Sequence, residues 1–92
     1  MALQIIQQNG IFYVGGKINT ATTKNFMVHF DYILENNDRV VINIDQVDEI
    51  DNEGIKALEV LTKIAVKNNK SFIITGNRSK DIVDAIDTIL VA

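Results

Sequence analysis

Apolar residues recur along this chain with two different periods, and the changes between them mark its elements. The runs "LQIIQQ" and "IFYVGGKI" are rich in Ile, Phe, Tyr and Val and are separated by Asn9-Gly10, a pair suited to a two-residue hairpin turn. The chain therefore opens with a β-hairpin. In "TTKNFMVHFDYILEN", Phe26, Phe30, Ile33 and Leu34 follow helical spacing behind Thr and Asn residues able to cap, which predicts an amphipathic helix. Asn36-Asn37-Asp38 breaks it. Arg39 to Ile44, "RVVINI", is a near-continuous β-branched run of the kind buried on both faces of a sheet, and predicts a central strand.

From Ile55 the positions Leu58, Leu61, Ile64 and Ala65 predict a second helix that stops near Asn68-Asn69, since Asn tolerates a left-handed backbone. "SFIIT" predicts a further strand. Ser79 is placed to cap a third helix whose buried face is Ile82, Val83 and Ile86, and "TILVA" is left as a short last strand or a packed tail. The order β-β-α-β-α-β-α requires crossovers, hence a mainly parallel sheet with one antiparallel pair from the opening hairpin.

Composition narrows the class. The 92 residues, 47% of them apolar, suit a single domain over 1–92. No cysteine is present, so neither disulfides nor thiolate metal sites are expected. No apolar run approaches the roughly 20 residues of a membrane span, and "MALQIIQQNG" lacks the charge and apolar pattern of an export signal. The expectation is a cytoplasmic protein without direct membrane insertion. A net charge of -3, with the nine Lys and Arg scattered, leaves no basic stripe to neutralise phosphates, which argues against nucleic acid as a partner.

Five carboxylates (Asp45, Asp48, Glu49, Asp51 and Glu53) crowd the passage from "VVINI" to the second helix, with no basic residue among them. Calcium is a poor fit: with Gly54 as the invariant glycine of an EF-hand loop, the position reserved for a bidentate acid is Val60. Zinc is no better served, because His29 is the only histidine and no cysteine can join it. Ser71 and Ser79 lie in no nucleophile-elbow sequence, and neither "GGKIN" nor "TGNRSK" matches a Walker A loop. The expectation is a non-enzymatic protein with no catalytic residue, no metal and no cofactor. Helix capping by Asp51 or Asn52, with Glu53 at the positive end of the helix dipole, accounts for part of the cluster. It does not account for Gly54 inside the helix, where glycine costs up to about 1 kcal/mol against alanine and points to close backbone packing or to approach by a partner.

Element order and two local sequences resemble the STAS domain, the family of bacterial anti-sigma factor antagonists that also occurs in sulfate transporters. "VVINIDQVDEIDNEGIKALEVLTKIAVKNNKSFIITG" is similar to the family's strand, loop, Asp-Ser-Ser-Gly, helix and strand. "VGGKINTATTKNF" is similar to its Gly-Glu-Leu-Asp segment, with Gly16, Lys17, Ile18 and Asn19 in those places. The resemblance implies an α/β STAS fold: a mixed, mainly parallel sheet of four to five strands with helices chiefly on one face. By position, Asp-Ser-Ser-Gly falls on Asp51, Asn52, Glu53 and Gly54, so the serine that partner kinases phosphorylate in many members is Glu53 here. A carboxylate cannot yield the stable phosphoester that such a switch stores. The upstream aspartate and the first motif serine are likewise replaced, by Asn19 and Asn52.

The resemblance further implies a protein-protein interaction module in signalling and transcription regulation, non-phosphorylatable at residue 53. Its partner-binding residues would be Asn19, Thr20, Asp51, Asn52, Glu53, Gly54 and Ile55, and a serine-kinase anti-sigma factor is among the protein partners implied. The alternative it carries is a STAS subunit of a membrane-associated transporter or stressosome-type complex.

Overall fold

The opening hairpin forms as the sequence predicts. Strands β1 (Gln4–Gln8) and β2 (Ile11–Ile18) pair antiparallel around Asn9 and Gly10, whose φ angles of 53° and 79° are those of a type I′ turn. The structure is a computed structural model that describes residues 3–77 and 82. Helix α1 (Thr23–Asn36) follows, then β3 (Arg39–Ile50), helix α2 (Asn52–Lys67) and β4 (Ser71–Thr75). The four strands among the described residues lie in the order β1-β2-β3-β4, with β2–β3 and β3–β4 parallel. The mixed, mainly parallel α/β sheet expected from the alternation of elements is therefore present. The expected third helix and the tail 88–92 lie outside the described residues, apart from Ile82, which is helical and buried.

One face of the sheet carries the core. Val14 of β2, Val40, Ile42 and Ile44 of β3 and Phe72 of β4 are buried against Phe26, Phe30, Ile33 and Leu34 of α1 and Leu58, Leu61 and Ala65 of α2. The alternate residues, Ile11, Tyr13, Val41 and Ile73, are only half-buried, so the helices cover one face. Phe30 stands at the middle of an aromatic group, its ring centroid 5.6 Å from Phe12, 4.9 Å from Phe26 and 5.9 Å from Phe72. Burial of each such ring is worth about 1.5–3 kcal/mol, and edge-to-face packing adds to it. Lys70 fastens the far end of the helical layer, its Nζ donating to the Leu34 carbonyl in the last turn of α1.

Strand β3 is longer than its apolar run. It continues from Ile44 through Asp45, Gln46, Val47, Asp48 and Glu49 to Ile50, where the family pattern of strand, loop and Asp-Ser-Ser-Gly implies a loop. The reason lies in its neighbours. β4 pairs with β3 only as far as Asn43↔Thr75, whereas β2 accompanies β3 to Ile18↔Ile50, with irregular register after Tyr13 and after Gly16. Beyond Asn43, β3 has no strand but β2 beside it among the described residues, and Asp45, Gln46, Asp48 and Glu49 are exposed while Val47 still reaches the core.

Helix α2 begins three residues before its apolar stripe. Asp51 is its N-cap, the Oδ1 atom accepting from the Gly54 N–H at 2.9 Å, and Asn69 ends it in the left-handed region with φ 59°. Gly54 is buried, and a Cβ at this position would lie 2.3 Å from the Ile18 carbonyl oxygen and 2.7 Å from Ile50 Cγ1. The glycine is thus needed for close packing of α2 on the ends of β2 and β3, and it presents no surface to a partner.

Two stability measurements check this account. Gly54→Ala should lower stability by about 2 kcal/mol in chemical denaturation, because overpacking against a backbone carbonyl outweighs the roughly 1 kcal/mol of helix propensity gained; an increase in stability would contradict the packing role. Asp51→Ala should cost about 1 kcal/mol, and Asp51→Asn, which keeps a capping acceptor, clearly less.

Candidate functional site

The chain leaves β2 at Ile18 and turns at once into α1. The Asn19 side-chain oxygen accepts from the Ala21 N–H at 2.9 Å, and the Asn19 carbonyl accepts from the N–H groups of Thr22 and Thr23, both at 2.9 Å. Thr22 closes the turn, its hydroxyl donating to the Lys17 carbonyl at 2.8 Å and accepting from the Asn19 N–H at 3.0 Å. This is an Asx-type turn held by short polar side chains, and it supplies partners for the first backbone donors of α1.

The same turn meets the start of α2. Asp51 N–H donates to the Ile18 carbonyl at 3.3 Å, Asp51 Oδ2 accepts from the Thr20 N–H at 3.3 Å, and Asn19 Nδ2 donates to Glu49 Oε1 at 3.3 Å. The two segments singled out in the sequence, around Asn19 and around Asp51, therefore lie side by side. Asn19 and Asp51 are half-buried within this network, Thr20, Asn52 and Glu53 are exposed, and Ile55 is half-buried and packs against the core.

The acid cluster divides once placed in three dimensions. Asp45 accepts from the Asn77 N–H at 2.6 Å and closes the turn after β4, Glu49 holds Asn19, and Asp51 caps α2. Among the described residues, the carboxylates of Asp48 and Glu53 have no hydrogen bond or ion pair, and no group of three or more His, Asp or Glu is arranged to hold a metal ion. Glu53 lies in the first turn of α2, where a negative charge is favoured by the helix dipole and the unpaired N–H groups. His29 is exposed on α1, its ring 5.2 Å from Phe30.

An open groove of about 230 Å³ runs from Glu53 between the two helices. Met27, Ala57 and Val60 form its apolar part, with Thr23, Lys24 and Lys56 beside Glu53. Lys24, Met27, Lys56 and Val60 were not foreseen as site residues. A signal was present, because positions 53, 56, 57 and 60 share one face of α2, yet only the packing of α2 beside α1 turns that stripe into a groove wall.

The fold is shared with solved structures of low sequence identity. An anti-sigma factor antagonist from Mycobacterium paratuberculosis superposes with a TM-score of 0.65 at 14% identity, covering 96% of this chain and 80% of that one. The anti-sigma factor antagonist SpoIIAA in its unphosphorylated form gives 0.62 at 9% identity, covering 79% and 71%. Mglu gives 0.61 at 14% identity, with 77% of this chain covered but only 18% of Mglu, so the chain spans less than a fifth of that larger protein. No curated protein matches at the level of sequence. The family model of the STAS domain matches residues 1–87, and with the sheet order, the Asn19 turn and the α2 N-terminus in place, the chain belongs to the STAS domain family.

Proposed function

We propose that this chain is a non-enzymatic protein-recognition module of the anti-sigma factor antagonist type, acting in the cytoplasm through the surface formed by the Asn19 turn and the first turn of α2. STAS domains are generally binding and regulatory modules, and two of the structural neighbours described above are anti-sigma factor antagonists. The observation that carries the reading is the difference between Glu53 and its neighbours. The side chains of Asn19 and Asp51 spend their polar groups on Glu49 and on the backbone N–H groups of Thr20, Ala21 and Gly54, whereas Glu53 is exposed and keeps both carboxylate oxygens for an external donor. The adjoining groove adds apolar contact at Met27 and Val60 and two cations at Lys24 and Lys56, a mixture suited to a protein surface with its own charges.

Residue 53 would not be switched. Phosphoserine would bring about -1.5 to -2 charges and three acceptor oxygens to the helix N-terminus, while glutamate brings one charge and two oxygens that never leave. The surface is thus tuned for a partner that reads a permanent carboxylate. Asn19 supports this, since it is used to hold Glu49 and to build its own turn, a structural assignment that a neutral side chain performs without adding repulsion to an acidic surface.

The test is affinity capture from the native cell with wild type, Glu53→Lys and Glu53→Ser, followed by measured binding of the recovered partner. Glu53→Lys should weaken that partner at least tenfold, about 1.4 kcal/mol, while costing no more than about 1 kcal/mol of stability, the helix-dipole contribution of an exposed charge. Retention of full affinity would remove Glu53 from the recognition surface. In Glu53→Ser, a kinase partner supplied with ATP should place phosphate on residue 53 where the wild type accepts none; phosphate on wild-type Thr20, Thr22 or Thr23 would instead show that the protein is switched from the neighbouring turn.

A further inference from the structure

Strand β1 is an edge without the features that usually keep edges apart. Among the described residues it pairs with β2 alone, and its sequence, Gln4-Ile5-Ile6-Gln7-Gln8, contains no charge, no proline and no bulge. The register with β2 fixes which groups point outward. Gln8↔Ile11 flanks the two-residue turn and is a hydrogen-bonded pair, so alternation makes Ile6↔Tyr13 and Gln4↔Gly15 hydrogen-bonded pairs too. Ile5 and Gln7, opposite Val14 and Phe12, therefore turn their backbone N–H and C=O groups to the open side.

We propose that this edge is the interface of a homodimer in which β1 pairs antiparallel with β1 of a second copy about a two-fold axis at Ile6. The spacing is self-complementary. With Ile6 opposite Ile6, each Ile5 faces the other copy's Gln7, and these are the residues whose outward N–H and C=O groups can be exchanged. Ile6, 53% exposed on the face away from the helices, would lie against its own counterpart in the close, non-hydrogen-bonded pair.

Charge selects a second copy as the occupant. The chain is 23% charged with a net charge of -3, so two copies tolerate contact only where the acids are absent. No Asp, Glu, Lys or Arg occurs in β1 or among the residues lining the groove of about 480 Å³ between β1 and α1, which include Ile5, Phe12, His29, Tyr32 and Ile33. The nearby acids of α1 are turned away: Asp31 and Glu35 line a different groove, toward the C-terminal half of α2, while Tyr32, 68% exposed, overlooks the β1 edge. None of the β1 edge residues belongs to the Asn19–Glu53 surface, so dimerisation leaves that surface open. A short strand pair with few side-chain anchors is at the small end of stable interfaces, and the dimer should form at about 1–100 μM.

The experiment is sedimentation of the full chain from about 1 μM to 1 mM, for wild type and for two variants. Ile6→Lys sets two cations opposite each other on the axis. Gln7→Pro deletes an outward N–H without touching the β2 ladder. Wild type should pass from monomer to dimer in this range, and each variant should raise the dissociation constant at least about tenfold with an unchanged far-ultraviolet spectrum. Amide exchange at Ile5 and Gln7 should slow in the wild-type dimer and stay fast in Ile6→Lys. A monomer at every concentration would overturn the proposal. So would a dimer that survives Ile6→Lys, or one lost only when Val41 on the open sheet face is replaced by lysine.

Discussion

The approach of helix α2 to the Ile18 carbonyl is the contact on which this arrangement rests. That one oxygen accepts from the Asp51 N–H and lies 2.3 Å from where a Cβ of residue 54 would be. Because the carbonyl belongs to the last residue of β2, and Ile50 at the end of β3 bounds the other side of Gly54, the contact ties two strand ends and a helix N-terminus to one point. Everything offered at the surface is then a short distance in sequence from a fixed backbone. Asn19 follows Ile18 directly and Glu53 precedes Gly54 directly, so neither can drift without opening a close-packed joint.

Around that joint the polar groups sort into those used internally and those left for others. Asp51 serves two backbone donors, one from each segment, and Glu49 takes the Asn19 amide. A surface whose neighbours are so committed holds its geometry before any partner arrives, which reduces the ordering cost of association. Glu53 stands out because its charge is favoured locally by the helix dipole and yet remains chemically free. Its permanence is the main difference from a serine at the same place: a hydroxyl permits two charge states, and a carboxylate at neutral pH permits one.

The sheet combines two environments within a single strand. As far as Asn43, β3 has neighbours on both sides and carries the β-branched run that such burial demands. Past Asn43 its only strand neighbour among the described residues is β2, and its side chains become acids and amides, with Val47 retained for the core. The local composition changes with the number of neighbouring strands, while the backbone conformation does not. Read as a string, that change in composition is indistinguishable from the end of the strand.

Much of the fold was legible because periodicity is a local record of burial. The Asn9-Gly10 turn, the stripe of Phe26, Phe30, Ile33 and Leu34, the "VVINI" core strand and the Asn68-Asn69 stop each encode their conformation within a few residues, and the motif spacing placed Asp51 to Gly54 at a helix start. What the sequence by itself could not settle depends on residues brought from a distance. Asp51 caps α2 and also holds Thr20; Gly54 is required by Ile18 and Ile50; Lys24 and Met27 meet Lys56 and Val60 only when α1 lies beside α2. The sequence determined which of the described elements form and that a glutamate precedes Gly54 at the start of α2. The tertiary structure alone decided which acids are occupied and that Asp48 and Glu53 are left free among the described residues, because a carboxylate's partners are set by the packing of distant backbone and not by its neighbours in the chain.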